Sequence, residues 1–82
     1  MMYYIYILKS LRIKRYYVGS CEDLDKRLAK HNSGEVKSTK AYRPWVRVYF
    51  EAFTNLKEAR LREIQIKRYK GGNAFKKLIA EI

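Results

Sequence analysis

Three groups of residues in this sequence have the chemistry needed to cleave a phosphodiester bond. Tyrosines lie in two predicted neighbouring strands, residues 3–8 and 15–20. A following helix carries Arg27 and His31 at positions i and i+4, so both side chains can reach one point. Glu63 is a single carboxylate on what should be the apolar face of another helix. Phenols and imidazoles move protons, guanidinium groups bind phosphate, and carboxylates hold cations, so the combination suggests a small phosphodiester-cleaving site.

The composition points to a polyanionic partner. Of 82 residues, 19 are Lys or Arg and 8 are Asp or Glu, which gives a net charge of +11. This excess favours binding to nucleic acid, with an anionic membrane surface as second candidate and a basic protein without such a partner as the alternative. No apolar run approaches the about 20 residues that a membrane helix needs. We therefore expect nucleic acid as the partner and no membrane.

Length and cysteine content predict one domain in a reducing compartment. A chain of 82 residues, 48% of them hydrophobic, is typical of a single globular domain over residues 1–82. Cys21 is the only cysteine, which excludes an internal disulfide and a cysteine-rich zinc site. We expect a cytoplasmic protein. The sequence leaves the oligomeric state undetermined, and we favour a monomer.

Residues 3–8 predict the central strand of a sheet. Every position is apolar or aromatic, which is typical of a strand buried on both faces. Alternation places Tyr4, Tyr6 and Leu8 on one face and Tyr3, Ile5 and Ile7 on the other. Residues 10–14 are polar enough to form a hairpin loop.

A second strand, residues 15–20, should pair with the first and carry Tyr17 and Gly19 on one face. If the loop is centred between Leu11 and Arg12, Tyr6 lies opposite Tyr17. Gly19 has two explanations: another group approaches the backbone closely there, or it is a turn residue.

The segment after Gly19 predicts a helix that carries Arg27 and His31. Asp23 is a good N-cap, and Asn32 or Gly34 should end the helix. One stripe of this helix comprises Leu24, Leu28 and His31.

Residues 33–44 form a loop that contains Lys37, Lys40 and Arg43 beside the hydroxyl residues Ser38 and Thr39. Basic and hydroxyl side chains together can hold phosphates. The alternative is an ordinary solvated loop.

Residues 45–53 predict the third strand. Uniform alternation would place side chains on two faces: Val46, Val48, Phe50 and Ala52 on one, and Trp45, Arg47, Tyr49, Glu51 and Phe53 on the other.

A second helix should begin at a cap provided by Thr54 or Asn55 and run to about Tyr69. Its periodicity places Glu63 on the apolar face, between Leu56 on one side and Ala59 and Ile66 on the other. A carboxylate that is partly buried there needs a partner. Two partners remain open, namely Lys67 one turn later and a divalent cation.

Gly71 and Gly72 should stop the second helix. A short final helix over residues 74–82 follows. It should pack through Phe75, Leu78 and Ile79 and expose Lys76 and Lys77.

In their order and spacing, these segments resemble one known family. The matching pieces are Tyr4-Ile5-Tyr6, Tyr17-Val18-Gly19, Arg27, His31, and Glu63 in the helix segment Ala-Arg-Leu-Arg-Glu-Ile-Gln-Ile-Lys. Together they resemble the GIY-YIG nuclease superfamily, and most closely its small single-domain members related to excinuclease endonuclease domains. The resemblance covers essentially the whole chain. It implies an α+β fold with a three-stranded antiparallel sheet flanked by helices, and metal-dependent hydrolysis of DNA.

The resemblance also implies roles for individual residues. The positions that match the family's catalytic residues are Tyr6, Tyr17, Arg27, His31 and Glu63, with Glu63 as the metal ligand. Asn73 stands near a position where some members keep an asparagine. Two positions depart from the family pattern, since Tyr4 replaces a glycine and Val18 replaces an isoleucine.

The implied mechanism uses one Mg²⁺ or Mn²⁺ ion on Glu63, because a two-metal site needs more carboxylates. Arg27 would hold the scissile phosphate, Tyr6 or Tyr17 would contact the attacking water, and His31 would relay its proton or bind phosphate. A phenol acts as a base only where neighbouring positive charge stabilises its phenolate. The residues expected to bind nucleic acid are Arg27, Lys37, Lys40, Arg43 and Lys67.

The sequence and this resemblance therefore predict a divalent-metal-dependent DNA endonuclease that acts in DNA repair or processing. A second possible function is a nucleic-acid-binding module with weak or no catalysis, within a larger repair assembly. A third is a basic RNA-binding protein, because charge does not distinguish RNA from DNA.

Overall fold

A three-stranded antiparallel sheet separates one helix from two others in the computed structural model of the protein, which describes residues 1–80. The strands are β1 (Tyr3–Ser10), β2 (Tyr16–Cys21) and β3 (Trp45–Phe53), in the order β2-β1-β3. The helices are α1 (Leu24–Ser33), α2 (Leu56–Arg68) and α3 (Asn73–Ala80), with a short 3₁₀ turn at Lys40–Tyr42. The predicted α+β fold with a three-stranded antiparallel sheet is confirmed.

The central strand β1 divides the core into two clusters. Ile5 and Ile7 face α2 and α3, where they pack with Ala59, Ile66 and Phe75. Tyr6 and Leu8 face α1 and pack with Trp45, Leu24 and Leu28. All four β1 residues are at most 3% exposed, so both faces of the strand are buried. The predicted central position and face assignment of this strand are confirmed.

The pairing between β1 and β2 differs from the predicted register by two residues. Tyr6 lies opposite Gly19 and Leu8 lies opposite Tyr17, so the prediction that Tyr6 faces Tyr17 directly is wrong. The hairpin loop is centred one residue later than expected, between Arg12 and Ile13. A shift of two residues preserves the side-chain alternation, so Tyr6 and Tyr17 still share a face, with ring centroids 6.3 Å apart.

The third strand has the predicted bounds but not the predicted uniform alternation. A bulge in its pairing with β1 makes Tyr49 the partner of Ile7 and Arg47 the partner of Leu8. The extra residue reverses the side-chain alternation at this point. Trp45 and Arg47 therefore share the face of Leu8, whereas Tyr49, Glu51 and Phe53 share the face of Ile7. This change brings Trp45, which is 2% exposed, into the cluster around Tyr6.

Most helix boundaries follow the predicted capping residues. Asp23 accepts a hydrogen bond from the Lys26 amide at the start of α1, and Gly34 ends the helix in the left-handed conformation at φ 87°. Of the two candidate caps for α2, Asn55 is used, since its side chain accepts from the Glu58 amide. Contrary to the prediction for this face, Leu56 is 40% exposed.

An ion pair fixes α2 against the sheet. Nη2 of Arg62 lies 2.9 Å from Oε2 of Glu51 on β3, and Tyr49 also hydrogen-bonds to that carboxylate. Glu63, the next residue, lies about 100° further around the helix axis than Arg62. The Arg62–Glu51 pair joins one side of α2 to β3.

The last helix packs through Phe75, Leu78 and Ile79, as predicted, and Lys76 and Lys77 are exposed. It is described from Asn73 to Ala80, so the predicted extension over residues 81–82 lies outside the described residues. Among residues 1–80, no helix combines the length and the apolar composition needed to cross a membrane.

Candidate active site

A chain of buried hydrogen bonds links β1 to α1 and to the loop after it. Oη of Tyr6 lies 3.0 Å from Nε2 of His31, and Nδ1 of His31 lies 2.8 Å from Oγ1 of Thr39. The Thr39 hydroxyl donates to the carbonyl of Val36 at 3.3 Å, so it is an acceptor toward His31. We therefore assign the proton of His31 to Nδ1, and Nε2 accepts from the Tyr6 hydroxyl.

Burial keeps both partners of this hydrogen bond neutral. His31 is 1% exposed, and burial, with a further contribution from the charge of Arg27, lowers its pKa from the ordinary value of 6.5. Burial also raises the pKa of Tyr6, as does Tyr17, whereas Arg27 acts in the opposite direction. Arg27 does not outweigh burial, so a neutral phenol donates to a neutral imidazole at pH 7.

Gly19 makes room for the Tyr6 side chain. A Cβ built on Gly19 would lie 2.5 Å from Oη and 2.7 Å from Cζ of Tyr6. Gly19 lies inside β2, so the explanation by close approach is correct and the explanation as a turn residue is wrong.

Two aromatic residues hold His31 in place. The half-buried ring of Tyr17 lies 4.8 Å from the imidazole of His31, and it also packs on Trp45. The indole of Trp45 donates to the carbonyl of Thr39 at 2.9 Å. Trp45 thus fixes the backbone of Thr39, and the hydroxyl of the same residue accepts from His31.

Arg27 connects this buried cluster to an open cleft. The cleft has a volume of about 500 Å³ and lies beside Ser20 and Cys21, at the end of the edge strand β2. Four basic residues, Lys26, Arg27, Lys30 and Arg60, outnumber the two acidic residues in its lining, Glu22 and Asp23. Because the Arg27 charge also acts on Tyr6 and His31, a phosphate bound to Arg27 would lie within electrostatic reach of the Tyr6–His31 pair.

A second basic cleft lies at the beginning of β2. It also has a volume of about 500 Å³, and the basic residues that line it are Lys14, Arg15, Lys67 and Lys70. Tyr17 lines the same cleft. On α2, Arg60, Glu63 and Lys67 are spaced by three and four residues, so they form one stripe along β2 between the two clefts.

Glu63 is the acidic member of this stripe. Its side chain is 18% exposed, and Oε2 lies 2.7 Å from Nζ of Lys67. Of the two partners left open by the sequence, Lys67 is thus in contact. The Glu63 charge makes a small contribution to the raised pKa of Tyr6, after burial, Tyr17 and Cys21, which places the carboxylate within electrostatic reach of Tyr6.

The donor set around Glu63 fits a single hydrated ion. No three His, Cys, Asp or Glu residues within residues 1–80 come together as a metal-binding group. Mg²⁺ keeps several water ligands and needs as few as one protein carboxylate. Glu63 can supply that ligand, whereas these residues provide no multi-carboxylate cage for a two-metal site.

Residues 2–76 match the family described as the GIY-YIG catalytic domain. This chain belongs to the GIY-YIG family. A UPF0213 protein of Staphylococcus saprophyticus is 41% identical over 80 residues, which cover 96% of this chain and 95% of the relative. A UPF0213 protein of Clostridium perfringens is 43% identical over 68 residues, which cover 82% of this chain and 72% of the relative.

A solved structure is also similar to this GIY-YIG domain. It is the solution NMR structure of the UPF0213 protein BH0048 from Bacillus halodurans, with a TM-score of 0.50, 31% identity and 92% of each chain covered. The family is one of nucleases, which generally act on DNA and use a divalent metal. The UPF0213 names state no particular activity.

A third basic cleft of the GIY-YIG domain lies in the loop after α1. Lys37, Lys40 and Arg43, which were predicted to bind nucleic acid, line one cavity of about 570 Å³. Arg12 from the β1–β2 hairpin joins them, a contribution that the sequence analysis missed. Thr39, by contrast, is 1% exposed and bonded to His31, so the expectation that it holds a phosphate is wrong.

Other residues that matter to the site carried only weak sequence signals. Arg60 was missed, although it precedes Glu63 by three positions on the same helix stripe. Asn32, predicted to end α1, instead bridges to β3 by accepting from the Trp45 amide at 2.6 Å and donating to its carbonyl at 2.9 Å. Asn73 is exposed at the start of α3 and makes no hydrogen bond to Glu63.

Proposed function

We propose that this GIY-YIG domain is a divalent-metal-dependent DNA endonuclease that acts in DNA repair or processing. The observation that carries the proposal is the buried hydrogen bond from Tyr6 to His31, beside Arg27 and the basic clefts along β2. A cytoplasmic location and a monomeric state remain predictions from the sequence.

Removal of a proton from the attacking water is assigned to Tyr6 and His31. The Tyr6 hydroxyl donates its proton to Nε2 of His31, so its oxygen lone pairs are free to accept a proton from water. As that proton reaches Tyr6, the Tyr6 proton passes to Nε2, and Nδ1 stays bonded to Thr39. The phenol thus takes part without an isolated buried phenolate, which its raised pKa disfavours.

Binding of the phosphate would favour this transfer. The positive charge of Arg27 helps to lower the pKa of His31 in the free protein, after burial. A phosphodiester on the Arg27 guanidinium, which binds two phosphate oxygens at once, offsets that charge. The proton affinity of His31 should therefore rise when substrate is bound, and the same guanidinium stabilises negative charge on the reacting phosphate.

Glu63 would hold the Mg²⁺ or Mn²⁺ ion. When bound, such an ion stabilises negative charge on the phosphoryl and leaving oxygens. Lys67 occupies one oxygen of Glu63, and its side chain is 53% exposed, so it can turn toward the second basic cleft. There it would contact a neighbouring phosphate of the DNA backbone.

A nucleic-acid-binding module without catalysis is the second candidate function. Two observations favour it: Tyr6 is only 3% exposed, and the Glu63 carboxylate is paired with Lys67. In such a protein the Tyr6–His31 bond would serve stability alone, and the basic clefts would still bind a polyanion.

The test is cleavage of nicked, flapped, branched and plain DNA, and of matched RNA, with Mg²⁺ or Mn²⁺ and with a chelator. We expect DNA cleavage that needs the metal, disappears in Glu63→Gln and persists in Glu58→Gln. Glu58 is an exposed acid in the first turn of the same helix and serves as the matched control. A Glu63→Gln protein that still cleaves would contradict the mechanism, and a wild-type protein that binds but never cleaves would support the binding module.

A further inference from the structure

The hairpin loop between β1 and β2 exposes aliphatic side chains among basic ones. Residues 11–15 read Leu-Arg-Ile-Lys-Arg. Leu11 is 60% exposed and Ile13 is 40% exposed. Neither the proposed chemistry nor the core uses these two side chains.

Hydrogen bonds from the protein interior fix the backbone of this loop. The hydroxyl of Ser10, which is 2% exposed, donates to the Tyr42 carbonyl at 2.7 Å and accepts from the amides of Arg12 and Ile13 at 3.1 Å each. The Leu11 amide donates to the Pro44 carbonyl at 2.9 Å. With its backbone held this way, the loop cannot fold its aliphatic side chains inward, so their exposure is a property of the fold.

The loop stands between two of the basic clefts. Arg12 lines the cleft that contains Lys37, Lys40 and Arg43. Lys14 and Arg15 line the cleft that contains Lys67 and Lys70, which leads along β2 to Tyr17. A polyanion on both sides of the loop would therefore meet Leu11 and Ile13 at its middle.

We propose that this hairpin loop is a wedge that recognises an interruption in DNA base stacking, at a nick, flap or branch. The proposal rests on DNA being the substrate and adds which DNA structure the domain selects. Apolar side chains that enter between base steps must separate the bases, and a break in the strand lowers that cost. Leu11 and Ile13 would pack on the exposed base faces, while the clefts on either side hold the phosphates of the two arms.

Two separate clefts on opposite sides of the loop favour DNA over a lipid surface. An amphipathic surface segment that inserts into a membrane presents its charges around one face. Here the basic residues instead line concave clefts, each with a volume of about 500 or 570 Å³, which suit phosphate strands.

The experiment measures binding without cleavage. Dissociation constants of the full chain are determined in chelator for nicked, flapped and intact duplexes of one sequence, with 2-aminopurine beside the break to report unstacking. The test variant is Leu11→Ser with Ile13→Ser, and the matched control is Leu61→Ser with Ile64→Ser. The control residues are 58% and 50% exposed on α2, where they line neither of the two clefts beside the loop.

We expect the wild type to prefer interrupted DNA by about tenfold, the order expected for burial of one aliphatic side chain. The preference and the 2-aminopurine signal should vanish in the hairpin variant and persist in the control, while affinity for intact duplex hardly changes. A preference that survives in the hairpin variant would overturn the proposal. An absence of preference in the wild type would overturn it as well. Binding to phosphatidylserine vesicles that the hairpin variant loses would then identify a lipid surface as the partner.

These outcomes are independent of the endonuclease assignment. A protein that never cleaves DNA can still show the preference in chelator, and a protein that cleaves can lack it. Thermal unfolding of both variants checks that the exposed substitutions leave the fold intact, as is usual for surface positions.

Discussion

Gly19 and Tyr6 are cross-strand partners, and the Tyr6 side chain occupies the space that a side chain at position 19 would need. The Tyr6 oxygen would be 2.5 Å from a Cβ at that position. Tyr6 must cross this space to place its hydroxyl 3.0 Å from His31. The glycine is thus a requirement of the Tyr6–His31 hydrogen bond rather than of a turn.

Gly19→Ala should therefore disturb both stability and the site. Tyr6 is buried and tethered, so it cannot move aside without loss of packing. Overpacking of this kind costs about 1–3 kcal/mol of unfolding free energy, which urea denaturation would measure. Ser20→Ala, one residue later on the same strand, is the control. A Gly19→Ala protein as stable as the wild type would show that the Tyr6 side chain does not occupy the space beside position 19.

Tyr6→Phe removes only the hydroxyl and leaves Nε2 of His31 without its partner. We expect the cleavage rate to fall by about 10²–10⁴-fold, the range for a general acid–base group. Loss of a buried hydrogen-bond partner should also cost about 1–3 kcal/mol of stability.

Tyr49→Phe is the matched control for Tyr6→Phe, because it breaks a part-buried tyrosine hydrogen bond, to Glu51, on the opposite face of the sheet. Its rate should stay near that of the wild type. Equal losses of rate in the two variants would remove Tyr6 from the mechanism.

The stability of the protein should fall as the pH is lowered through the histidine range. Burial, and then Arg27, lowers the pKa of His31 below its ordinary 6.5, so the unfolded chain binds a proton more readily than the folded one. Stability should therefore decline as the pH drops below 6.5 and level off below the folded-state pKa, with a slope of at most about 1.4 kcal/mol per pH unit.

His31 is the only histidine, so an NMR pH titration of its imidazole reads this pKa directly. Urea denaturation between pH 8 and pH 5, in about half-unit steps, gives the stability for comparison. In His31→Gln the decline between about pH 5 and 7 should disappear. An NMR pKa at or above 6.5 would contradict the burial of this ring.

Release of Glu63 from Lys67 should strengthen metal binding. Lys67 holds Oε2 of Glu63 at 2.7 Å, and a metal ion has to compete with that ammonium group. Lys67→Met should therefore increase the thermal stabilisation that Mn²⁺ gives, while Glu63→Gln should abolish it, since a ligand stabilises only the state that binds it. Differential scanning fluorimetry with a Mn²⁺ series measures both. Mn²⁺ stabilisation that persists in Glu63→Gln would place the ion elsewhere.

The loop after α1 should contribute to the salt dependence of DNA binding. Replacing Lys37 and Lys40 by Gln should flatten the slope of log K against log salt by about one to two units, near 0.9 per lost phosphate contact. Replacing Lys76 and Lys77, exposed on α3, removes the same charge as a control. If both pairs change the slope equally, the slope depends only on net charge, and the cleft that contains Lys37 and Lys40 is not a specific phosphate-binding site.

The sequence by itself determined the features that depend on local patterns. The unbroken apolar run of β1 showed that both faces of this strand are buried. Asp23 and Gly34 marked the ends of α1 because capping is chemistry within one turn of chain. The spacing of Arg27 and His31 placed them on adjacent turns of one helix.

Only the tertiary structure decided which residues meet across the fold. A register shift of two residues keeps the same side chains buried, so the hydrophobic pattern could not reveal that Tyr6 faces Gly19 rather than Tyr17. The bulge that turns Trp45 toward Tyr6 depends on pairing with β1, and the bond between His31 and Thr39 depends on how the loop after α1 folds back. Contacts of this kind are set by packing between distant segments, and the spacing of residues within one segment carries no information about them.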